Sequence, residues 1–177
     1  MTVAEAVAEW LAEKEITHAF GIIGAGNLSL WEAIERLGKT EIISCHHEQA
    51  AAFAASFYNR TSSGMAVVLV TTGAGSSNAI TGVLSAYMDS TPLIVISGNE
   101  TDGSLSGNTR TLGVQGYDSA AVAMQFTNEA FNLRIDKEYG VRASLDRALC
   151  TSQGKIWAKR QGPVWVNIAR DIQVANV

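Results

Sequence analysis

The chain has 177 residues, of which 47% are apolar and 17% charged, and its formal net charge is −4. That length suits one well-packed domain, 1–177, and is short for two. The acidic balance and the lack of any Lys/Arg cluster exclude a phosphate-backbone partner. No apolar run approaches the roughly 20 residues that span a bilayer, so neither nucleic acid nor membrane is expected to bind. Met1 to Glu15 shows no basic region leading into an apolar one, so no secretory signal is expected. Cys45 and Cys150 lie in apolar, strand-like and helical surroundings, which points to buried thiols and a reducing, cytoplasmic location.

Thr2-x-x-Glu5 has the spacing of a capping box, and Val3, Val7, Trp10 and Leu11 recur at helical intervals, which predicts a first helix. His18 to Ile23 reads as a strand, Gly24-Ala25-Gly26-Asn27 as a loop, and Leu30, Trp31, Ile34 and Leu37 as one face of a helix closed by Gly38. Ile42 to Cys45 predicts a strand leading into a helix that carries Glu48, and Ala66 to Thr71 a strand leading into a helix from Ser77 to Met88. A strand from Leu93 to Ser97 precedes a long loop, Gly98 to Gly116, with five glycines, a composition suited to a functional segment. The remaining expectations are a short helix over Ala120 to Phe126, an edge strand over Ala130 to Ile135, a helix from Tyr139 to Lys159 interrupted near Gly154, and a last strand over Val164 to Ala169. Strands alternating with helices predict an α/β fold: a single three-layer domain, a mainly parallel sheet of about six strands, helices on both faces.

Two segments share one design. Cys45-His46-His47-Glu48 is followed by a helix rich in alanine, so one carboxylate stands where a strand meets a helix with little else polar nearby. Val67 to Val70 is followed by Thr71-Thr72-Gly73-Ala74-Gly75-Ser76-Ser77-Asn78, a buried-strand pattern, a glycine turn and a helix start. Each has an ordinary reading. A glutamate in a first turn is favoured by the helix dipole, Ser77 and Asn78 are good helix caps, and the alanines are good helix formers. The glycine turn lacks the lysine of a P-loop and the spacing of a dinucleotide fingerprint.

Taken together, His47-Glu48-Gln49-Ala50-Ala51-Ala52, the turn Thr71 to Gly82, Ala86-Tyr87-Met88-Asp89-Ser90-Thr91-Pro92-Leu93 and Gly162 to Ile168 resemble the amino-terminal pyrimidine-binding domain of thiamine-diphosphate enzymes, acetolactate synthases and benzaldehyde lyase-like carboligases above all. The resemblance implies thiamine diphosphate as cofactor. It makes Glu48 the catalytic glutamate that hydrogen-bonds N1' of the aminopyrimidine and favours the imino tautomer, whose nitrogen then takes the C2 proton. A poorly solvated pocket suits such a shared proton. By the same resemblance Thr72, Gly73 and Asn78 lie beside the aminopyrimidine, Gly24, Ala25 and Gly26 face the substrate, and Gln115, matching the glutamine of a Phe-Gln-Glu-x-Asp segment, reaches the reacting end as a second catalytic residue. Ala74 stands where the family has proline, and Ile22-Ile23 where many acetolactate synthases have Tyr-Pro, so substrate identity does not carry over. His47 reads as a neighbour of the site and not as a metal ligand.

In the family a further domain binds the diphosphate and Mg²⁺ through Gly-Asp-Gly and a later Asn. No Gly-Asp-Gly occurs here, and Asp102-Gly103 is the only Asp-Gly pair. No metal ligand is therefore expected on this chain, and FAD is not expected either, since the family's middle domain is lacking. The resemblance thus implies the pyrimidine-binding subunit of a split enzyme, inactive until a second subunit supplies the Mg²⁺ ligands, most simply as α₂β₂. Met1 at a capped helix and an end shortly after the last strand favour a natural subunit over an excised domain. The implied reaction is acetolactate synthase-like: decarboxylation of a 2-oxo acid with carboligation, or the handling of an acyloin. In the family, aldehyde-releasing pyruvate decarboxylases carry a histidine pair in the loop after the fourth strand; no histidine occurs from Gly98 to Gly116 here, so the resemblance favours carboligation over simple decarboxylation. A subunit of a sulfopyruvate- or phosphonopyruvate-decarboxylase type and a non-catalytic scaffold remain as alternatives.

Overall fold

The computed structural model describes residues 1–101, 112–135, 140–156 and 160–177. In chain order the elements are α1 (Val3–Glu13), β1 (His18–Gly21), α2 (Leu28–Leu37), β2 (Glu41–Ser44), α3 (Glu48–Thr61), β3 (Ala66–Val70), α4 (Ala74–Met88), β4 (Leu93–Asn99), α5 (Ser119–Ala123), β5 (Glu129–Asn132), α6 (Gly140–Ser152), β6 (Pro163–Ala169) and α7 (Arg170–Gln173). Short 3₁₀ turns occupy Gly113–Gly116 and Met124–Phe126. All six strands are parallel, in the order β2-β1-β3-β4-β6-β5. The expected α/β class holds. Among the described residues no helix is long and apolar enough to cross a membrane.

Strand alternation divides the core. Val67 and Leu69 of β3, Ile94 and Ile96 of β4, and Val164, Val166 and Ile168 of β6 pack toward α1, α2 and α6. Val68, Val70, Leu93, Val95 and Trp165 pack toward α3, α4 and α5. Successive side chains of a strand point to opposite faces, so near-continuous apolar runs such as Ala66–Val70 are what a sheet covered on both sides requires. The capping box at α1 is present: the Glu5 N–H donates to Thr2 Oγ1 at 3.2 Å, and the Thr2 N–H to Glu5 Oε2 at 2.8 Å. Gly38 closes α2 in the left-handed conformation, φ 63°.

Several boundaries differ from the sequence expectation. α4 starts at Ala74 rather than Ser77, because Gly73 takes φ 61°, ψ −122° and turns the chain into the helix within one residue. β4 runs on to Asn99, paired with β6 over its whole length. β5 stops at Asn132, and α6 ends at Ser152. Tyr139 and residues 157–159, which the expected long helix would include, lie outside the described residues, as does 102–111 of the glycine-rich loop. Both cysteines are free thiols but half-buried, not buried. Cys45 sits at the exit of β2, where the chain already leaves the sheet.

α3 and α4 approach closely where Gly82 meets the alanines. A Cβ on Gly82 would lie 2.6 Å from Ala52 Cβ and 3.1 Å from the Phe53 nitrogen. Backbone cannot yield as a side chain can, so Gly82→Val should destabilise the domain toward the upper end of about 1–3 kcal/mol, the usual range of overpacking. The expected reading is a lower urea midpoint with an unchanged slope. An unshifted midpoint would mean that the helices separate without penalty.

Candidate cofactor site

The strand order reverses between β1 and β3. β1 leads left to β2, and β3 then returns to the other side of β1. The loops leaving the two strands come together there at the carboxyl ends of the strands, the place where open α/β sheets take ligands. Ile22 to Asn27 follows β1, Glu48 follows β2, and Thr71 to Gly75 follows β3. Three predicted segments are thereby gathered at one edge.

Glu48 opens α3 and is buried, with 7% of its surface exposed. His47 precedes it as N-cap, its Nδ1 accepting the Gln49 N–H at 3.2 Å. This gives His47 a structural task and leaves the carboxylate to project from the helix start. Asn78 Nδ2 donates to Glu48 Oε2 at 3.0 Å. Among the described residues no donor engages Oε1, which faces Gly75; a Cβ there would lie 3.2 Å from Oε1 and 2.6 Å from Thr71 Cγ2. A carboxylate oxygen with acceptor capacity to spare, on a glutamate that is otherwise buried, suits a ligand that brings its own N–H. Asn78 does not cap α4, because Gly73 is the N-cap and Asn78 stands over a turn further on, where its side chain crosses to α3. Ser77, an alternative cap, donates to Ala74 O within its own turn at 3.2 Å.

The loop after β1 is held from three sides. Asn27 is fully buried; its Oδ1 accepts the Gly24 N–H at 2.8 Å and its Nδ2 donates to Ile22 O at 3.0 Å. Thr71 Oγ1 accepts the Gly26 N–H at 3.0 Å, tying the loop to the end of β3. Gln173 Nε2, from α7, donates to Gly26 O at 2.6 Å and to Ile168 O at 2.8 Å. A Cβ on Gly24 would come within 2.6 Å of Thr71 Cγ2, and one on Gly26 would collide with Thr72. Both glycines are therefore needed for close packing of the two loops. Ala25 between them is exposed, its methyl turned outward. Thr72 is buried, 6% exposed, and its methyl packs beneath Gly26.

Gln115 lies on the 3₁₀ turn directly over Gly73. A Cβ on Gly73 would stand 3.0 Å from Gln115 Cγ and 3.1 Å from Val114 O. The carboxamide makes no hydrogen bond among the described residues, and Gln115 is exposed. The turn beside Glu48 and the glutamine are thus in contact, though 42 positions separate Gly73 from Gln115 in sequence. Tyr117 Oη lies 2.6 Å from Ser76 Oγ, which in turn donates to Gly73 O at 2.9 Å. Burial pushes the Tyr117 phenol above the ordinary tyrosine range, against the opposing pull of its hydrogen bond to Ser76, so it stays protonated at neutral pH. Asn27, Thr71, Ser76, Tyr117 and Gln173 were not singled out from sequence as site residues. Only Asn27, an amide at a strand-to-helix turn, carries a local signal of its task. Among the described residues no three His, Cys, Asp or Glu side chains gather as metal ligands would.

An all-parallel sheet whose strand order reverses beside the gathered loops is the architecture of α/β domains that receive a ligand at the ends of their strands. Within that class the chain belongs to the thiamine pyrophosphate enzymes: residues 1–123 match the family's N-terminal TPP binding domain. It is 34% identical over 169 residues to the acetolactate synthase large subunit of Buchnera aphidicola subsp. Acyrthosiphon pisum, a match covering 96% of this chain and 28% of the relative. Against the large subunit of the Haemophilus influenzae acetolactate synthase it is 33% identical over 168 residues, 95% of this chain and 28% of the relative. The large subunit of acetolactate synthase isozyme 3 of Escherichia coli is 32% identical over 172 residues, 96% and 28%. The chain therefore spans little more than a quarter of the length of these relatives.

Proposed function

We propose that this chain is the pyrimidine-binding subunit of a split thiamine-diphosphate enzyme that joins an acyl unit from a 2-oxo acid to a carbonyl acceptor. The observation that carries the reading is the Glu48 carboxylate, buried at the reversal of strand order, held by Asn78 through one oxygen and open at the other. When bound, thiamine diphosphate supplies a thiazolium whose C2 loses its proton and adds to a carbonyl. Glu48 Oε1 holds the proton at N1' of the aminopyrimidine. Asn78 fixes the rotamer of the carboxylate, and the burial of Glu48 limits the competition of water for it. Thr72 and Gly73 form the wall beside the pyrimidine, with the loop Gly24-Ala25-Gly26 and the free carboxamide of Gln115 toward the substrate.

The exposed faces of α3 and α4 support a partner. Phe53 and Phe57 on one helix and Leu84 and Met88 on the other are 42%, 65%, 42% and 67% exposed, each pair at i,i+4 spacing. Apolar surface of that kind on the helices beside a site favours a covering chain. That chain would bring the Mg²⁺ ligands, so the cofactor's two ends are gripped by different polypeptides in an α₂β₂ assembly in the cytoplasm.

Gln115→Ala tests the substrate side. Its carboxamide has no hydrogen-bond partner among the described residues, so its removal should leave thiamine diphosphate titration unchanged within about twofold while raising KM for the 2-oxo acid or shifting the product ratio about tenfold, the scale of one lost polar contact to substrate. Products are resolved after feeding a 2-oxo acid with and without an aldehyde acceptor. Lost cofactor affinity with normal kinetics at saturation would move Gln115 to the cofactor side.

A further inference from the structure

The segment that carries Gln115 is tied down on both sides by hydrogen bonds that the fold alone does not require. On one side is the bond between Tyr117 Oη and Ser76 Oγ at 2.6 Å, with Gly73 O a further 3.4 Å acceptor for the phenol. Ser76 already has an acceptor in Gly73 O, so the phenol is not needed to satisfy it. On the other side Asp118 caps α5, its Oδ1 accepting the N–H groups of Ala120 and Ala121 at 3.0 and 3.1 Å. Its second oxygen accepts from Asn132 Nδ2 at 3.1 Å, Asn132 Oδ1 from Asn167 Nδ2 at 2.7 Å, and Asn167 Oδ1 from the Ser119 hydroxyl at 3.0 Å. Ser119 is the neighbour of Asp118, so the chain of bonds closes on itself across the ends of β5 and β6.

Asn167 is 1% exposed and Ser119 3%. A buried amide on an interior strand and a buried hydroxyl at a helix start are unfavourable unless every group is paired, and an apolar residue would fill position 167 of β6 more simply. What the ring does provide is a single place for residues 118 and 119. Tyr117 then reaches from that fixed point to the turn beside Glu48, and Gln115, two residues earlier, rests on Gly73. In Phe-Gln-Glu-x-Asp, Tyr117 occupies the unspecified position, so the pattern itself assigns it no task.

We propose that Tyr117 is a positioning residue: its hydroxyl, braced by the ring of Asp118, Asn132, Asn167 and Ser119, fastens Gln115 over Gly73 and so couples the cofactor turn to the substrate-side glutamine. The consequence for substrate rests on the function proposed above; the anchoring does not. Tyr117→Phe removes only the hydroxyl. In the full chain, amide exchange over residues 113–118 should accelerate about fivefold, the factor set by one neutral hydrogen bond, with exchange in β3 and β4 unchanged. In the assembled enzyme, KM for the 2-oxo acid should rise by a similar factor or the product ratio shift, while the thiamine diphosphate titration stays within about twofold. Adding Tyr117→Phe to Gln115→Ala should change nothing further, since both act through one side chain. Unaltered exchange over 113–118, or additive kinetic effects in the double variant, would overturn the proposal. An assembly without thiamine-diphosphate-dependent turnover but with faster exchange in Tyr117→Phe would support the anchor and overturn the functional reading instead.

Discussion

Glu48→Gln should leave the fold intact and slow hydrogen–deuterium exchange at C2 of bound thiamine diphosphate by about two to four orders of magnitude, the scale of a general acid–base contribution. The substitution keeps the size of the side chain and its place at the start of α3, with His47 still capping the helix through Gln49. Asn78 can still donate to the amide oxygen. What disappears is the carboxylate at the free position, since an amide nitrogen placed over Gly75 offers two N–H groups to a ring nitrogen and cannot hold the proton there. The loss thus falls on proton transfer and not on packing. Circular dichroism and the urea midpoint check the fold, and exchange of the C2 proton checks the chemistry. Exchange at the wild-type rate would sink the role given to Glu48.

The second large effect concerns the assembly. The purified 177-residue chain should show no thiamine-diphosphate-dependent turnover, and turnover should appear when a second polypeptide carrying Gly-Asp-Gly and a following Asn is added. The diphosphate is strongly anionic and is held in such sites through Mg²⁺, a hard cation that takes oxygen ligands in near-octahedral array. The sequence has no Gly-Asp-Gly, and among the described residues no acidic cluster stands in its place. Glu48 is committed to Asn78, and Glu100, the other buried carboxylate near the strand ends, lies 3.5 Å from Arg170. They stand apart from each other in these contacts, and neither has a second carboxylate beside it with which to share a metal among the described residues. Co-purification with the native partner, followed by mass spectrometry and a cofactor-dependence assay, tests this directly. Full turnover by the chain alone would falsify the split-site reading.

Local sequence and tertiary structure divide the determination of this protein along a physical line. Periodicity and punctuation act over a few residues, so the order of elements was legible from them. Thr2-x-x-Glu5 marks the first helix, the apolar run Ala66–Val70 a strand buried on both faces, Gly38 a helix end. The position of Glu48 between a strand and an alanine-rich helix was equally local, as was the glycine turn beginning at Gly73. Other features depend on which loops the strand order brings side by side, and no local pattern encodes that. Asn78 looks in sequence like a helix cap and serves instead to hold Glu48, because α3 and α4 pack closely enough at Gly82 for its amide to cross between them. Gly24 and Gly26 read in sequence as part of a loop, yet they are glycines because the end of β3 lies against them. Gln173 and Tyr117 carry no local mark at all. Each is far in sequence from the group it holds, Gly26 and Ser76, and only the reversal of strand order between β1 and β3, together with β6 lying beside β4, places them within hydrogen-bonding reach.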